Sequence, residues 1–291
     1  VWGDSMIQNI MFDLILDIAR NDKRIRAVAM AGSRIDPNAT HDEFCDFDIV
    51  YLVSDIKSFV KDDKWLAVFG ERLILQKPSD WYSHPYDYQG YEDFMYLLQL
   101  KDGCRIDLTL IDLKHAHDYI VDTEPRSILL DKDKILGLDS IEVGEYYFIK
   151  PPCPDKYRDI CNEFWWTIPN VVKGLCRKQL MFVKHTMERF AMDMLLEMLY
   201  WNIGVENNFS VSAGKYGKYL EKYLEEDIYQ QFMLIFPGSS QEDIWQRLFI
   251  MCELFQQEAK KVARHFEYYY DSKEAEEIIR YARAMQQKYK Q

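Results

Sequence analysis

Basic residues are in deficit in this chain: 36 Lys and Arg stand against 48 Asp and Glu, a formal net charge of −12. Non-specific nucleic-acid binding needs a basic footprint, so that class is not expected. An acidic chain gains solubility and attracts cationic partners, and composition leaves both readings open. Cysteines are few and scattered, at Cys45, Cys104, Cys153, Cys161, Cys176 and Cys252, with no CxxC pair. That spacing argues against a disulfide framework and fits ordinary reduced thiols. His115 and His117 stand two apart in LKHAHDY without a Cys or a third His nearby, too few for a metal centre. Long apolar runs are missing as well. The stretch AMDMLLEMLYW is interrupted by Asp193 and Glu197, and reads as a packed helix rather than a membrane span. With neither a membrane span nor a secretory signal read, a cytoplasmic protein is expected.

What is present is core material. Apolar residues make up 48% of 291 and aromatics 15%, enough for two domains. The halves differ in pattern. Residues 6–20 carry apolar positions at helical spacing. AVAMA (27–31), DIVYLVSD, RLILQ (72–76), FMYLLQL and CRIDLTLI read as strands. The last two flank Lys101-Asp102-Gly103, a strong hairpin signal. From about residue 155 helical periods take over, with Pro169 expected to kink or restart the first helix. A helix of about nine turns is expected from residue 170, and further helices at 214–235, 240–267 and 272–289. KPPCP (150–154) reads as a linker. The expected architecture is α+β: a domain on a small mixed sheet at 1–150 and a helical bundle at 151–291.

One run carries the chemistry, AGSRIDPNATHDEFCDFDIVYLV. Side chains alternate along a strand, so Asp46 and Asp48 share a face, their carboxylates some 6–7 Å apart at roughly 3.3 Å per residue. Two such carboxylates repel and raise each other's pKa unless a cation or an arginine such as Arg34 intervenes. Mg²⁺ suits them, a hard ion that takes carboxylate and phosphate oxygens. Gly32-Ser33 ends a buried strand in a turn whose N–H groups can approach an anion. Asp107 sits in RIDLTL with Ile106, Leu108 and Leu110 on the opposite face, where a carboxylate needs a partner. Three carboxylates on neighbouring strands beside a phosphate-binding turn suit metal-assisted phosphoryl or nucleotidyl transfer. A solvated strand start is the plainer account of Asp46 and Asp48 taken alone.

The pattern apolar-Gly-Ser, a dozen-residue spacer, Asp-x-Asp, then apolar-Asp-apolar resembles the polymerase-β-like nucleotidyltransferases. GSR…DEFCDFDIVYLVSD, WLAVFGERLILQKP, DGCRIDLTLI, LLDKD, CNEFWW…VVKGLCRKQL and YLEKYL are similar to the aminoglycoside (streptomycin) 6-adenylyltransferases, over nearly the whole chain. The resemblance implies Mg²⁺-dependent transfer of AMP from ATP to an aminoglycoside hydroxyl, with release of pyrophosphate. It implies a nucleotidyltransferase domain followed by a helical domain for substrate and nucleotide. Under it, Gly32, Ser33 and Arg34 hold the nucleotide, Asp46 and Asp48 bind metal, and Asp107 completes the metal set or acts as base. Lys173, Arg177 and Lys184, at i, i+4 and i+11, could form a basic stripe toward the triphosphate, with Lys173 foremost. Glu163 and Asp159 share a face one turn apart; Glu163 could meet amino or guanidino groups of the substrate or serve as base, and an ordinary exposed carboxylate is the plainer account. Trp165, Trp166 and Trp201 read as core. Two stretches depart from the family: Lys184 stands where an acidic residue is usual, and SAGKYGKYL differs at Tyr216 or Gly217. The same chemistry on another hydroxyl compound or on a protein stays open, as does a non-catalytic nucleotide-binding module. The intact Asp46, Asp48 and Asp107 speak against the last.

Overall fold

The computed structural model describes residues 6–81, 93–122, 124–136, 140–236 and 238–289. The chain divides into two units, Val1–Tyr146 and Tyr147–Gln291. In the first, the apolar period at the start forms α1 (Met6–Asn21), which buries Met11, Ile15, Leu16 and Ala19. These positions fall on one face of a 3.6-residue turn. The strands are β1 (Ile25–Ala31), β2 (Phe47–Val53), β3 (Arg72–Gln76), β4 (Asp93–Leu100), β5 (Arg105–Asp112) and β6 (Ser127–Asp131). Short helices α2 (Ile56–Val60) and α3 (Ala116–Val121) lie in the connections. The sheet order is β3-β4-β5-β2-β1-β6, with β2 and β5 parallel and the other neighbours antiparallel. The Lys101–Gly103 turn closes the β4–β5 hairpin, as expected. Gly103 takes φ +95, and the Cys104 N–H donates to the Asp102 carboxylate.

Alternation along the two central strands separates a core face from a chemical face. Phe47, Ile49, Tyr51 and Val53 of β2, with Ile106, Leu108 and Leu110 of β5, pack into the cluster that includes α1. Tyr51 fixes that contact by donating its hydroxyl to the Ile15 carbonyl at 2.7 Å. Burying each of these side chains stabilises the unit by about 1.5–3 kcal/mol. On the other face Val50, Leu52 and Ile111 join Ala27, Ala116 and Leu136 in a smaller cluster. Asp48 and Asp107, at the start of the same face, stay outside that cluster and are half-buried.

The second unit is helical: α4 (Pro154–Cys176), α5 (Leu180–Thr186), α6 (Met192–Glu206), α7 (Leu220–Tyr223), α8 (Glu226–Met233), α9 (Gln241–Phe266) and α10 (Ser272–Tyr289). Here the sequence expectations need correcting. Helix α4 runs through Pro169 without a restart. The nine-turn helix does not form, because the chain stops at Lys178, which takes φ +58. There the N–H of Gln179 donates back to Gly174 and that of Lys178 to Leu175, satisfying carbonyls that the helix end leaves open. A π-helical turn, Met187–Ala191, then separates α5 from α6. The helix expected at 214–235 is a 3-10 turn at Lys215–Gly217 followed by α7 and α8. KPPCP is not a free linker: Pro152 is buried and its carbonyl accepts from the Tyr268 hydroxyl at 2.9 Å. Trp165 and Trp201 are core, whereas Trp166 is 71% exposed. Among the described residues no helix is long and apolar enough to cross a membrane.

Candidate active site

β1 ends at Ala31, and the chain turns at Gly32 (φ +73) into the 3-10 turn Gly32–Ile35. Glycine is required there twice over. The left-handed backbone disfavours a side chain, and a Cβ would lie 1.9 Å from Asp48 Oδ2. The Asp48 carboxylate therefore rests directly on the Gly32 backbone. Sheet register explains the contact: Ala31 is opposite Asp48 in the β1–β2 pair, and Asp48 is opposite Asp107 in the β2–β5 pair. Neighbouring strands lie ~4.8 Å apart, so Gly32, Asp48 and Asp107 form a row across the sheet. The Ser33 hydroxyl has no hydrogen-bond partner among the described residues.

Asp46 precedes β2 and is held from behind. Arg34, buried and stacked over the Phe47 ring at 3.7 Å, donates from Nε to the Asp46 carbonyl (2.9 Å) and from Nη2 to that of Cys45 (2.8 Å). These bonds commit much of the guanidinium to the loop backbone, so its evident work here is to position Asp46.

Negative charge concentrates on this face. Burial, with Asp107 and Asp46 beside it, pushes the Asp48 carboxyl up to about 6, and Glu124 adds to the effect. Burial also raises Asp46, opposed by Arg105. Arg105 is the counter-charge. It grips Asp107 with two hydrogen bonds of 2.8 Å and lies 3.6 Å from Asp46 Oδ2. Its own pKa rises in consequence. Among the described residues no three His, Cys, Asp or Glu side chains converge as a ready-made metal cage. Asp46, Asp48 and Asp107 thus share one face without closing on a point. The oxygen-only donor set nevertheless fits a hard divalent cation, since Asp48 is crowded by like charge that such an ion would relieve.

The comparisons settle what kind of catalyst presents this row. A family model described as "Streptomycin adenylyltransferase" matches residues 7–285. The chain belongs to the streptomycin adenylyltransferase family. Relatives named aminoglycoside 6-adenylyltransferase match it over most of its length. That of Campylobacter jejuni is 38% identical over 273 residues, spanning 93% of this chain and 94% of the relative. That of Bacillus subtilis is 35% identical over 261 residues, 89% and 91% of the two chains. That of Staphylococcus aureus is 32% identical over 274 residues, 93% and 96%. As a member of this family the chain is a nucleotidyltransferase, of the adenylyltransferase kind.

The other candidates of this adenylyltransferase lie in the second unit. Lys173 is exposed on α4, with its ammonium donating to Asn170 at 3.0 Å. Arg177 caps the same helix, but Lys184 sits beyond the break at Lys178, so the expected single-helix basic stripe does not exist. Lys184 faces Asp243, whose carboxyl its charge helps hold low. Glu163 is exposed, whereas Asp159 is paired with Arg158 at 2.9 Å. Arg105 is the residue that sequence reasoning missed. Its signal was present: in RID the arginine and Asp107 stand two apart and share the chemical face of β5.

Proposed function

We propose that this enzyme transfers AMP from ATP to a hydroxyl of an aminoglycoside, with the 6-hydroxyl of streptomycin as the acceptor and pyrophosphate as the leaving group. The observation that carries the reading is the Asp48 carboxylate seated on Gly32 with Asp107 one strand away. A phosphate needs N–H donors at a tight turn and a cation beside it; the Gly32 turn offers the donors, and the neighbouring carboxylates would hold the cation. The relatives' names supply the substrate class.

Asp46 and Asp48 would hold Mg²⁺, which when bound offsets phosphate charge and favours departure of pyrophosphate. The Gly32 and Ser33 N–H groups, with the free Ser33 hydroxyl, bind phosphate oxygens. Arg34 keeps Asp46 in register through its carbonyl. Arg105 exchanges its carboxylate partners for the incoming triphosphate, an anion of higher charge that presents the same kind of oxygens. That exchange frees Asp107. Its carboxylate accepts the proton of the substrate hydroxyl as the oxygen attacks the α-phosphorus, and the bond to pyrophosphate breaks in line. Lys173 is assigned to the triphosphate. Asp159 is already spent on Arg158, which leaves Glu163 as the α4 carboxylate open to an amino group of the substrate. Six unpaired thiols and the need for ATP support a cytoplasmic setting.

Purified protein with streptomycin, ATP and Mg²⁺ is expected to release pyrophosphate, and Asp48→Asn to abolish that release. An absence of turnover across a panel of aminoglycosides, in protein that still binds ATP, would refute the aminoglycoside reading.

A further inference from the structure

The row that starts at Gly32 and passes through Asp48 does not end at Asp107. In the β4–β5 pair Leu97 stands opposite Asp107, and in the β3–β4 pair Gln76 stands opposite Leu97. Directly opposed residues project to one face of a sheet, so the line continues through Leu97 to Gln76 on the edge strand β3.

This far half of the chemical face is apolar where the near half is acidic. Behind it, Leu98 of β4 and Leu75 of β3 pack into the core with α1. On the chemical face Leu97 is half-buried, and its diagonal neighbour Ile74 is 64% exposed. Neither belongs to an apolar cluster of this unit. Gln99, opposite Ile74, spends its amide on the carbonyls of Gly103 and Cys104, at 3.0 and 3.2 Å. The Gln76 amide has no partner among the described residues. Apolar surface with one placed polar group is the make-up of sites that hold a ring and fix its orientation.

The direction of the reaction decides which ring this is. In phosphoryl transfer the attacking and leaving oxygens lie on opposite sides of the phosphorus. In the reaction proposed above, pyrophosphate leaves at the Gly32 turn as the bond from the α-phosphorus to its bridging oxygen breaks. The hydroxyl proton passes to Asp107 as the new oxygen–phosphorus bond forms. The attacking oxygen thus lies on the Asp107 side, and the molecule that carries it extends away from Gly32, over β4 and β3. Adenosine is bonded to the same phosphorus but neither attacks nor leaves, so it departs sideways from this line.

We infer that Leu97 and Ile74 form the shelf on which the acceptor ring bearing the reactive hydroxyl rests, with Gln76 hydrogen-bonding a neighbouring group of that ring. Placing the ring there rests on the reaction proposed above. It makes the far half of the sheet a determinant of acceptor specificity.

The test uses the full chain with isotope-labelled Ile and Leu methyl groups, the Ile74 and Leu97 signals being assigned through Ile74→Val and Leu97→Met. A non-hydrolysable ATP analogue with Mg²⁺ should leave both methyl signals in place, and streptomycin added next should shift them. Adenylylation kinetics of Gln76→Lys and Gln76→Glu are measured alongside. Four strand spacings of ~4.8 Å put Gln76 roughly 19 Å from Gly32, beyond the ~10 Å screening length at 0.1 M salt, so KM for ATP should not change. Gln76→Lys should raise the KM for streptomycin about tenfold at low salt and much less at high salt, and Gln76→Glu should lower it severalfold. A merely structural role would move both variants the same way, without salt dependence. Methyl shifts caused by the analogue alone make the shelf a nucleoside site and overturn the inference. Unmoved methyls, or like effects of the two variants, in an enzyme that adenylylates streptomycin overturn it and leave the reaction standing. Shifts caused by streptomycin in a protein that transfers no AMP uphold the shelf and refute the reaction. Neither shift nor transfer overturns both.

Discussion

Replacing Asp48 by Asn should make the metal-free enzyme more stable, not less, at neutral and alkaline pH. In the folded protein burial and two neighbouring carboxylates raise the Asp48 carboxyl from an ordinary 3.8 to about 6. Between those values the native state binds more protons than the unfolded chain, so stability falls as pH rises through the interval and is level above it. That rise from 3.8 to about 6 corresponds to a cost of about 3 kcal/mol above pH 6. The side chain is only half-buried, and solvent screening brings the figure to about 2 kcal/mol. Asparagine has nearly the same shape and no charge, so it keeps the seat on Gly32 and escapes the cost. At about 2–4 °C per kcal/mol, the first unit's melting temperature should rise by roughly 5 °C at pH 8. At pH 4 the advantage should vanish, because wild-type Asp48 is then protonated. Thermal unfolding followed by circular dichroism in EDTA, from pH 4 to pH 8, measures this directly. A variant less stable than wild type at pH 8, or a gain that persists at pH 4, would refute the electrostatic argument. Added Mg²⁺ and ATP should reverse the order by stabilising only the wild type.

Three further substitutions probe the same framework. Gly32→Ala forces a methyl into the Asp48 carboxylate and onto a left-handed backbone, so a loss of about 2 kcal/mol or more and of pyrophosphate release is expected; a kinetically normal variant would mean the seat is not used. Arg105→Ala leaves Asp107 and Asp46 without their counter-charge, which should cost the metal-free protein about 1 kcal/mol at pH 8. The same variant should bind Mn²⁺ more tightly than wild type without nucleotide, as read by electron paramagnetic resonance, while kcat falls. Tyr51→Phe removes a buried hydroxyl's hydrogen bond to the Ile15 carbonyl, which keeps its helical N–H partner, so a loss of about 1 kcal/mol in urea unfolding is expected with KM for ATP unaffected.

Five of the six strands, the hairpin at Gly103 and the candidates Gly32, Asp48 and Asp107 were legible because a two-residue period and a glycine turn are local signals, whereas β6 (Ser127–Asp131) went unread. Their pairing was not local. Nothing in the sequence says that β2 and β5 run parallel in register, although that register is what sets Asp48 against Asp107. The helix break at Lys178 was hidden for a related reason. Apolar periodicity continues across it, and a lysine carries no mark of a left-handed backbone. Arg105 went unnoticed because attention fell on carboxylates, while the alternation that exposed Asp107 placed the arginine on the same face.

The parallel pairing of β2 with β5 bears on how the enzyme comes to be assembled. β1 and β2 are close in sequence, so the Gly32–Asp48 seat closes a short loop and can form early. Asp107 reaches Asp48 only after residues 54–104 have been looped out and β5 has docked. Long-range parallel pairing is the slow kind of contact. The like-charge penalty at Asp48 therefore arises at that late docking step, after the first hairpin is in place. Mildly acidic conditions or a divalent cation, by cancelling that repulsion, should speed the refolding phase in which catalytic competence returns, while the earlier phase keeps its rate.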